Sequence, residues 1–235
     1  MRALILQHEM ITPAGSVLEW LTKNNIAYEI VCFYKQHELP QLNTFDFLFI
    51  CGGTMNVDQE AQLAWLKVEK EFIRQALSSH KKIVGLCLGS QLLAECLGAK
   101  VKPMQYSEVG WHSVRLSYPV EQNLKVFQWH SYCFEASEHF KIIASNTAWN
   151  QQALLYKDQA IGFQFHPEST QEWVEQCCEE QPWPTGSFCQ SREEILSQSS
   201  LLQPLMQEWF FKTLDFFLLK KVVVQNHANG STDNQ

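Results

Sequence analysis

The stretch Lys82-Ile83-Val84-Gly85-Leu86-Cys87-Leu88-Gly89-Ser90-Gln91, continuing as Leu92-Leu93-Ala94-Glu95-Cys96-Leu97-Gly98, decides how the chain is read. A β-branched apolar run ends at a Gly, a Cys and a second Gly, and a helical pattern starts at once. Leu92, Leu93, Cys96 and Leu97 share one side of that helix, and Gly98 suits a left-handed C-terminal cap. Cys87 therefore stands on a sharp strand-to-helix turn, mechanically like the nucleophile elbow of G-x-S-x-G hydrolases. Gly85 and Gly89 leave room where the flanking backbones come close. The start of a helix favours negative charge, and so favours the thiolate over the thiol. Cys87 reads as a nucleophile; a buried structural Cys is the plain alternative.

Composition bounds the rest. The 235 residues are 46% hydrophobic and 18% charged, as expected of a compact globule with a sizeable core. With 18 basic and 25 acidic residues the net charge is −7, which disfavours nucleic acid or an anionic membrane as the main partner. No apolar run approaches membrane-spanning length, and Met1 to His8 reads as a first strand rather than a signal peptide. The eight Cys are scattered through strand and helix patterns, which fits a reduced, cytoplasmic protein. No C-x-x-C pair occurs, so neither a metal site nor a cofactor is expected.

Outward from the elbow, Ala3 to Gln7, Ala27 to Phe33 and Phe45 to Cys51 read as strands. Gly15 to Asn24 reads as a helix with Val17, Leu18 and Leu21 inward. Glu60 to Leu77 reads as another, with Ala61, Ala64, Trp65, Val68 and Phe72 inward and Lys67, Glu69, Lys70 and Glu71 outside. This alternation predicts an α/β fold with an open, mostly parallel central sheet flanked by helices. Loops at the carboxyl ends of such strands build the site. Three qualify: His8-Glu9, Gly52-Gly53-Thr54-Met55 and Cys87. From Val101 to Phe165 helical periodicity gives way to strands at Val109–Leu116, Val126–Trp129, Lys141–Ser145, Ala153–Tyr156 and Ala160–Phe165. They form a smaller antiparallel portion, with a hairpin turn at Lys157-Asp158-Gln159. Helices return at Thr170–Glu179 and Leu205–Lys220. Residues 1–222 read as a single domain and 223–235 as a disordered polar tail.

A Cys nucleophile needs a base, and the base an orienting group. His8 and His37 lie in early loops, where solvated polar side chains are common. His80 ends a helix, His112 and His130 sit in strand patterns, His139 is in a polar stretch and His227 in the tail. His166 differs. It follows a hydrophobic strand, is held by Pro167, and has a carboxylate two residues on, at Glu168. One loop can present imidazole and carboxylate together.

Gly85-Leu86-Cys87-Leu88-Gly89-Ser90-Gln91, taken with Phe165-His166-Pro167-Glu168, resembles the class I glutamine amidotransferase family, whose signature is G-x-C-x-G-x-Q followed much later by H-P-E. Trp65-Leu66 to Phe72-Ile73-Arg74, Glu108-Val109-Gly110-Trp111, Phe127-Gln128-Trp129-His130 and Gln190-Ser191-Arg192-Glu193-Glu194-Ile195 are similar to its free-standing, GMP-synthase-like branch. The likeness covers about residues 1 to 220. It implies a flavodoxin-like fold and a Cys–His–Glu triad of Cys87, His166 and Glu168. It also implies an oxyanion hole from the N–H groups of Gly53 and Leu88, and glutamine contacts at Gly52, Gln91, Ser131 and Tyr132. Thr54 stands where the more usual form is Gly-Gly-Pro, and Tyr132 where many members of the branch carry an Asp. The implied reaction is hydrolysis of the glutamine γ-amide through a γ-glutamyl thioester, releasing ammonia and glutamate. After Glu168 too little chain remains for a nucleotide-binding synthetase. The ammonia therefore goes to a separate synthetase subunit or to water, or the substrate is another γ-glutamyl compound, as for a γ-glutamyl peptidase. A regulatory or binding subunit without turnover is the reading from a different class.

Overall fold

The computed structural model describes residues 1–35, 38–179 and 183–221. His37, His227 and the tail expected from residue 223 lie outside them. In chain order the elements are β1 (Arg2–Gln7), α1 (Ser16–Lys23), β2 (Ala27–Cys32), β3 (Phe47–Ile50), α2 (Ala64–Ser78), β4 (Lys82–Leu86) and α3 (Leu88–Cys96). Then follow β5 (Val101–Leu116), β6 (Gln122–Phe134), β7 (Lys141–Ser145), β8 (Ala153–Tyr156), β9 (Ala160–Phe163), α4 (Gln171–Cys177), β10 (Phe188–Cys189) and α5 (Arg192–Leu219).

The strands form one sheet in the order β10-β5-β7-β8-β9-β4-β3-β1-β2, with β6 paired to β5. From β2 across to β9 every pairing is parallel; β5 to β9 are joined by antiparallel ladders. Alternation of side chains between two covered faces explains why the inner strands β1, β3 and β4 are apolar at nearly every position. Ala3, Ile5, Phe47, Phe49, Val84 and Phe163 pack with α1 and α5 residues such as Val17, Trp20, Phe210 and Leu214 on one face. Leu4, Leu6, Leu48, Ile50 and Ile83 pack with Leu66, Ile73, Leu92 and Leu93 of α2 and α3 on the other. The fold is the expected mixed α/β, a mostly parallel central sheet flanked by helices.

Four expectations need correction. Helix α2 starts at Ala64, later than the expected Glu60, because residues 59–63 form hydrogen-bonded turns, Leu63 N–H to Gln59 O at 2.9 Å among them. Its charged residues are not all outside. Glu69 and Lys70 are buried, Glu69 against His8 and Lys70 between Glu60, Glu95 and the Val57 carbonyl, whereas apolar Val68 is exposed. Strands β5 and β6 extend well past the apolar cores that announced them, because polar edge residues pair in one long antiparallel ladder. Helix α5 begins at Arg192, not Leu205. A capping box, Ser191 with Glu194, starts it, and Pro204 is carried inside. Among the described residues, no helix is long and apolar enough to cross a membrane.

Candidate active site

Strand β4 ends at Leu86 and α3 starts at Leu88, so Cys87 takes the whole change of direction, with φ 48° and ψ −106°. Such a backbone costs a non-Gly residue of order 1–3 kcal/mol and needs support on all sides. The support is visible. The Cys87 N–H donates to Phe163 O of β9 at 2.8 Å, and the Gly89 N–H to Cys51 O at 3.1 Å. A Cβ on Gly89 would stand 2.1 Å from Ile50 O, and one on Gly85 2.6 Å from Gly89 O, so both glycines are required by close approach.

Strand β9 runs parallel beside β4, and the chain leaving it delivers His166 and Glu168 next to Cys87. All three are buried. His166 Nδ1 donates to Glu168 Oε1 at 2.8 Å, and its backbone N–H to Phe127 O at 2.9 Å. Trp173 packs against the ring, with centroids 4.8 Å apart. The Cys87 side chain is the other group that acts on the ring. Burial opposes charging of His166, but the Cys87 sulfur and the Glu168 carboxylate outweigh it and push the pKa up to about 10. The backbone of Glu168 is anchored from α1: its peptide carbonyl accepts the Ser16 N–H at 2.8 Å. Only a Gly fits at residue 15, where φ is +52° and a Cβ would meet Glu168 O at 2.2 Å.

Gly52 and Gly53 close the site from β3. A Cβ on Gly52 would stand 3.1 Å from His166 Cε1 and 3.7 Å from Cys87 Cβ; one on Gly53 would stand 2.8 Å from Leu88 Cδ2. The Gly53 and Leu88 N–H groups have no acceptor among the described residues. Gln91 donates to Tyr132 O at 3.1 Å and Gln164 Oε1 at 3.2 Å, and Gln164 Nε2 lies 3.8 Å from Cys87 Sγ. Trp129 O is 4.0 Å from the same sulfur.

Comparison with known proteins places the chain in a family. The family model described as glutamine amidotransferase class-I matches residues 14–176. The chain belongs to the class I glutamine amidotransferase family. A glutamine amidotransferase-like protein of Salmonella typhimurium, YfeJ, is 28% identical over 188 residues, covering 74% of this chain and 79% of that one. One component of the glutamine-hydrolysing GMP synthase of Sulfolobus acidocaldarius is 28% identical over 151 residues, covering 61% of this chain and 78% of its own. A glutamine amidotransferase from Methylobacillus flagellatus shares the fold, with a TM-score of 0.88 at 23% identity over 96% of this chain and 97% of that one.

Within this class I amidotransferase, Cys87, His166, Glu168, Gly52, Gly53 and Leu88 are brought together. Gln91 reaches the group through the Tyr132 carbonyl and Gln164. Ser131 is exposed and its side chain joins none of these contacts. His130 is engaged elsewhere, Nδ1 with Tyr132 O at 3.0 Å and Nε2 with Gln128 Oε1 at 3.1 Å and Glu108 Oε2 at 3.3 Å. Burial works against the Glu108 carboxylate, yet hydrogen bonds from His130 and Gln152 hold its pKa below the usual range. Gln164, buried beside the sulfur, carries little signal in the sequence beyond being a polar residue that breaks the apolar run ahead of His166. His8, expected among solvated loop residues, is instead buried, because the β1–α1 loop folds down over β3 and α2. Among the described residues no group of three His, Cys, Asp or Glu side chains could hold a metal ion.

Proposed function

We propose that the chain hydrolyses the γ-amide of glutamine through a thioester on Cys87, with His166 as acid and base and Glu168 orienting it. The observation that carries this reading is the placement of Cys87 on a strained elbow beside an imidazole whose far nitrogen is held by Glu168 at 2.8 Å. A raised His166 pKa favours the thiolate–imidazolium pair, which is the armed form for amide attack.

The thiolate of Cys87 attacks the γ-carbonyl carbon, and the carbonyl electron pair moves onto oxygen. The Gly53 and Leu88 N–H groups stabilise that oxyanion, worth roughly 3 kcal/mol per donor. The tetrahedral centre then collapses. The C–N bond breaks, His166 gives its proton to the departing nitrogen, and ammonia leaves. Water attacks the thioester while His166 takes its proton; the C–S bond breaks, freeing glutamate and the Cys87 thiolate. Gln91, the Tyr132 backbone, Ser131 and Gly52 hold the amino-acid head in the same reading.

The ammonia passes to a separate synthetase subunit. The Sulfolobus acidocaldarius relative, named as one subunit of a GMP synthase, supports that arrangement. The test is an assay of the purified chain with glutamine and with γ-glutamyl dipeptides, read as ammonia, glutamate and released amine, with the covalent intermediate trapped for mass spectrometry. Slow release of ammonia and glutamate, lost in Cys87→Ala, is expected. Faster turnover of a γ-glutamyl dipeptide would move the assignment to a peptidase, and no turnover of either would remove the glutaminase reading.

A further inference from the structure

The loop between β1 and α1 carries a second buried His–Glu pair that the chemistry above leaves unused. The His8 and Glu69 side chains are fully shielded from solvent. His8 Nδ1 stands 2.8 Å from Gly52 O, and Nε2 stands 2.9 and 3.2 Å from the two Glu69 oxygens. A peptide carbonyl only accepts, so Nδ1 carries a hydrogen. An ionised carboxylate only accepts too, so Nε2 carries one as well, and the ring is an imidazolium donating on both sides. The ring packs nearly parallel to Phe33 and Trp65, at centroid distances of 5.8 and 5.4 Å, a setting that suits a cation. The charged groups acting on it are Glu69 from α2 and Glu9 from its own loop.

What the pair holds is the backbone beside Cys87. The Thr12 hydroxyl donates to the same Gly52 carbonyl at 3.1 Å. Glu9 accepts the Thr54 N–H at 2.7 Å and the Thr54 hydroxyl at 2.9 Å. One loop therefore grips Gly52, through its carbonyl, and Thr54. The grip answers a problem set by packing. A side chain at Gly52 would press on His166, and one at Gly53 would stand 2.4 Å from Met55 Sδ, so Gly fits both positions without displacing a neighbour. Two glycines in a row are the residues least able to hold a peptide plane still. Because that plane is rigid, the Gly52 carbonyl and the Gly53 N–H point in opposite directions, and fixing one fixes the other.

We propose that His8, held as an imidazolium by Glu69, is a positioning residue that locks the Gly52–Gly53 peptide with its N–H turned to the oxyanion. This rests on the reading of Gly53 as an oxyanion donor to the Cys87 adduct. A free Gly–Gly peptide can rotate its N–H away; one with its carbonyl tied to a buried cation cannot.

Two measurements on the full chain decide it. The first is a nitrogen-15 spectrum of the histidines, with His8 assigned by its loss in His8→Asn. Both ring nitrogens protonated at pH 7.5 is the expected result; a neutral ring overturns the proposal. The second uses two variants in a Glu69→Gln background, so that no buried charge is left alone. His8→Asn keeps an amide N–H where Nδ1 stood but loses the stacked ring, whereas His8→Phe keeps the ring and loses the donor. The expected kcat for glutamine is about tenfold or more lower in His8→Phe than in His8→Asn. KM should agree within about threefold. Alkylation of Cys87 by iodoacetamide, which forms no oxyanion, should run at the same rate in both. A packing role requires the reverse order of kcat, and that result overturns the proposal. If the unmodified chain cleaves no γ-glutamyl substrate, the functional reading fails separately. The Gly53 amide signal then decides the clamp, which stands only if that signal shifts in His8→Phe and holds in His8→Asn.

Discussion

His166–Glu168 and His8–Glu69 are built from the same parts and face different things. Both imidazoles are buried, both meet a carboxylate at hydrogen-bond distance, and burial opposes the charge on each before its neighbours raise the pKa. The second nitrogen separates them. On His166 it faces a sulfur, which gains and loses a bond to carbon during the proposed turnover, so the proton there is free to move. On His8 it faces the Gly52 carbonyl, which stays a carbonyl throughout, so the proton there is fixed. A buried imidazolium does chemistry or holds geometry according to what its far side meets.

The comparison breaks most visibly at the first pair. Cys87→Ala should lose all hydrolysis, and His166→Asn about 10³-fold in kcat, with circular dichroism unchanged. Residual activity near wild type in His166→Asn would hand the base to another group. Labelling should sharpen the contrast next. Iodoacetamide at pH 7.5 should modify Cys87 about 10²-fold faster than Cys96 or Cys133, whose thiols burial pushes up to about 12. Peptide mass mapping after timed quenching reads this.

In stability the order of the pairs should reverse. Glu69→Leu strands the His8 charge in the core and should cost about 3 kcal/mol in urea unfolding. Glu168→Gln keeps an acceptor for His166 Nδ1 and should cost about 1 kcal/mol while losing activity. Equal stability losses would erase the distinction. The last effect is a drift with pH. His166 titrates near 10 in the folded chain against 6.5 when free. Its stabilisation is therefore complete below about pH 6.5 and is lost as pH rises toward about 10. The melting temperature should fall across that window, and His166→Asn should flatten the fall.

The legibility of the two pairs follows their spacing. Glu168 lies two residues from His166, so one loop displays both. Glu69 lies 61 residues from His8, on a helix whose pattern assigns charged residues to solvent. Only the fold reveals that a carboxylate there has an imidazole beneath it. The inner parallel strands β1, β3 and β4 were legible because both faces are covered and nearly every position is apolar. The outer halves of β5 and β6 were not, since residues such as Lys102, Asn123 and Lys125 carry no apolar alternation and are held by backbone pairing. Pro204 hid the first half of α5 by standing where a helix usually stops.

The neighbouring of β4 and β9 has a further meaning in time. A ribosome releases the Cys87 elbow long before it releases His166, and the two strands pair, Ile83 with Ala160 through Leu86 with Phe163, only once everything from α3 to β8 has emerged. The Phe163 carbonyl that ties down the Cys87 N–H arrives with that same strand. Non-local parallel pairing is a slow step in folding. Under the proposed function, the nascent chain carries an unarmed thiol until then, and closing the sheet is the event that arms it.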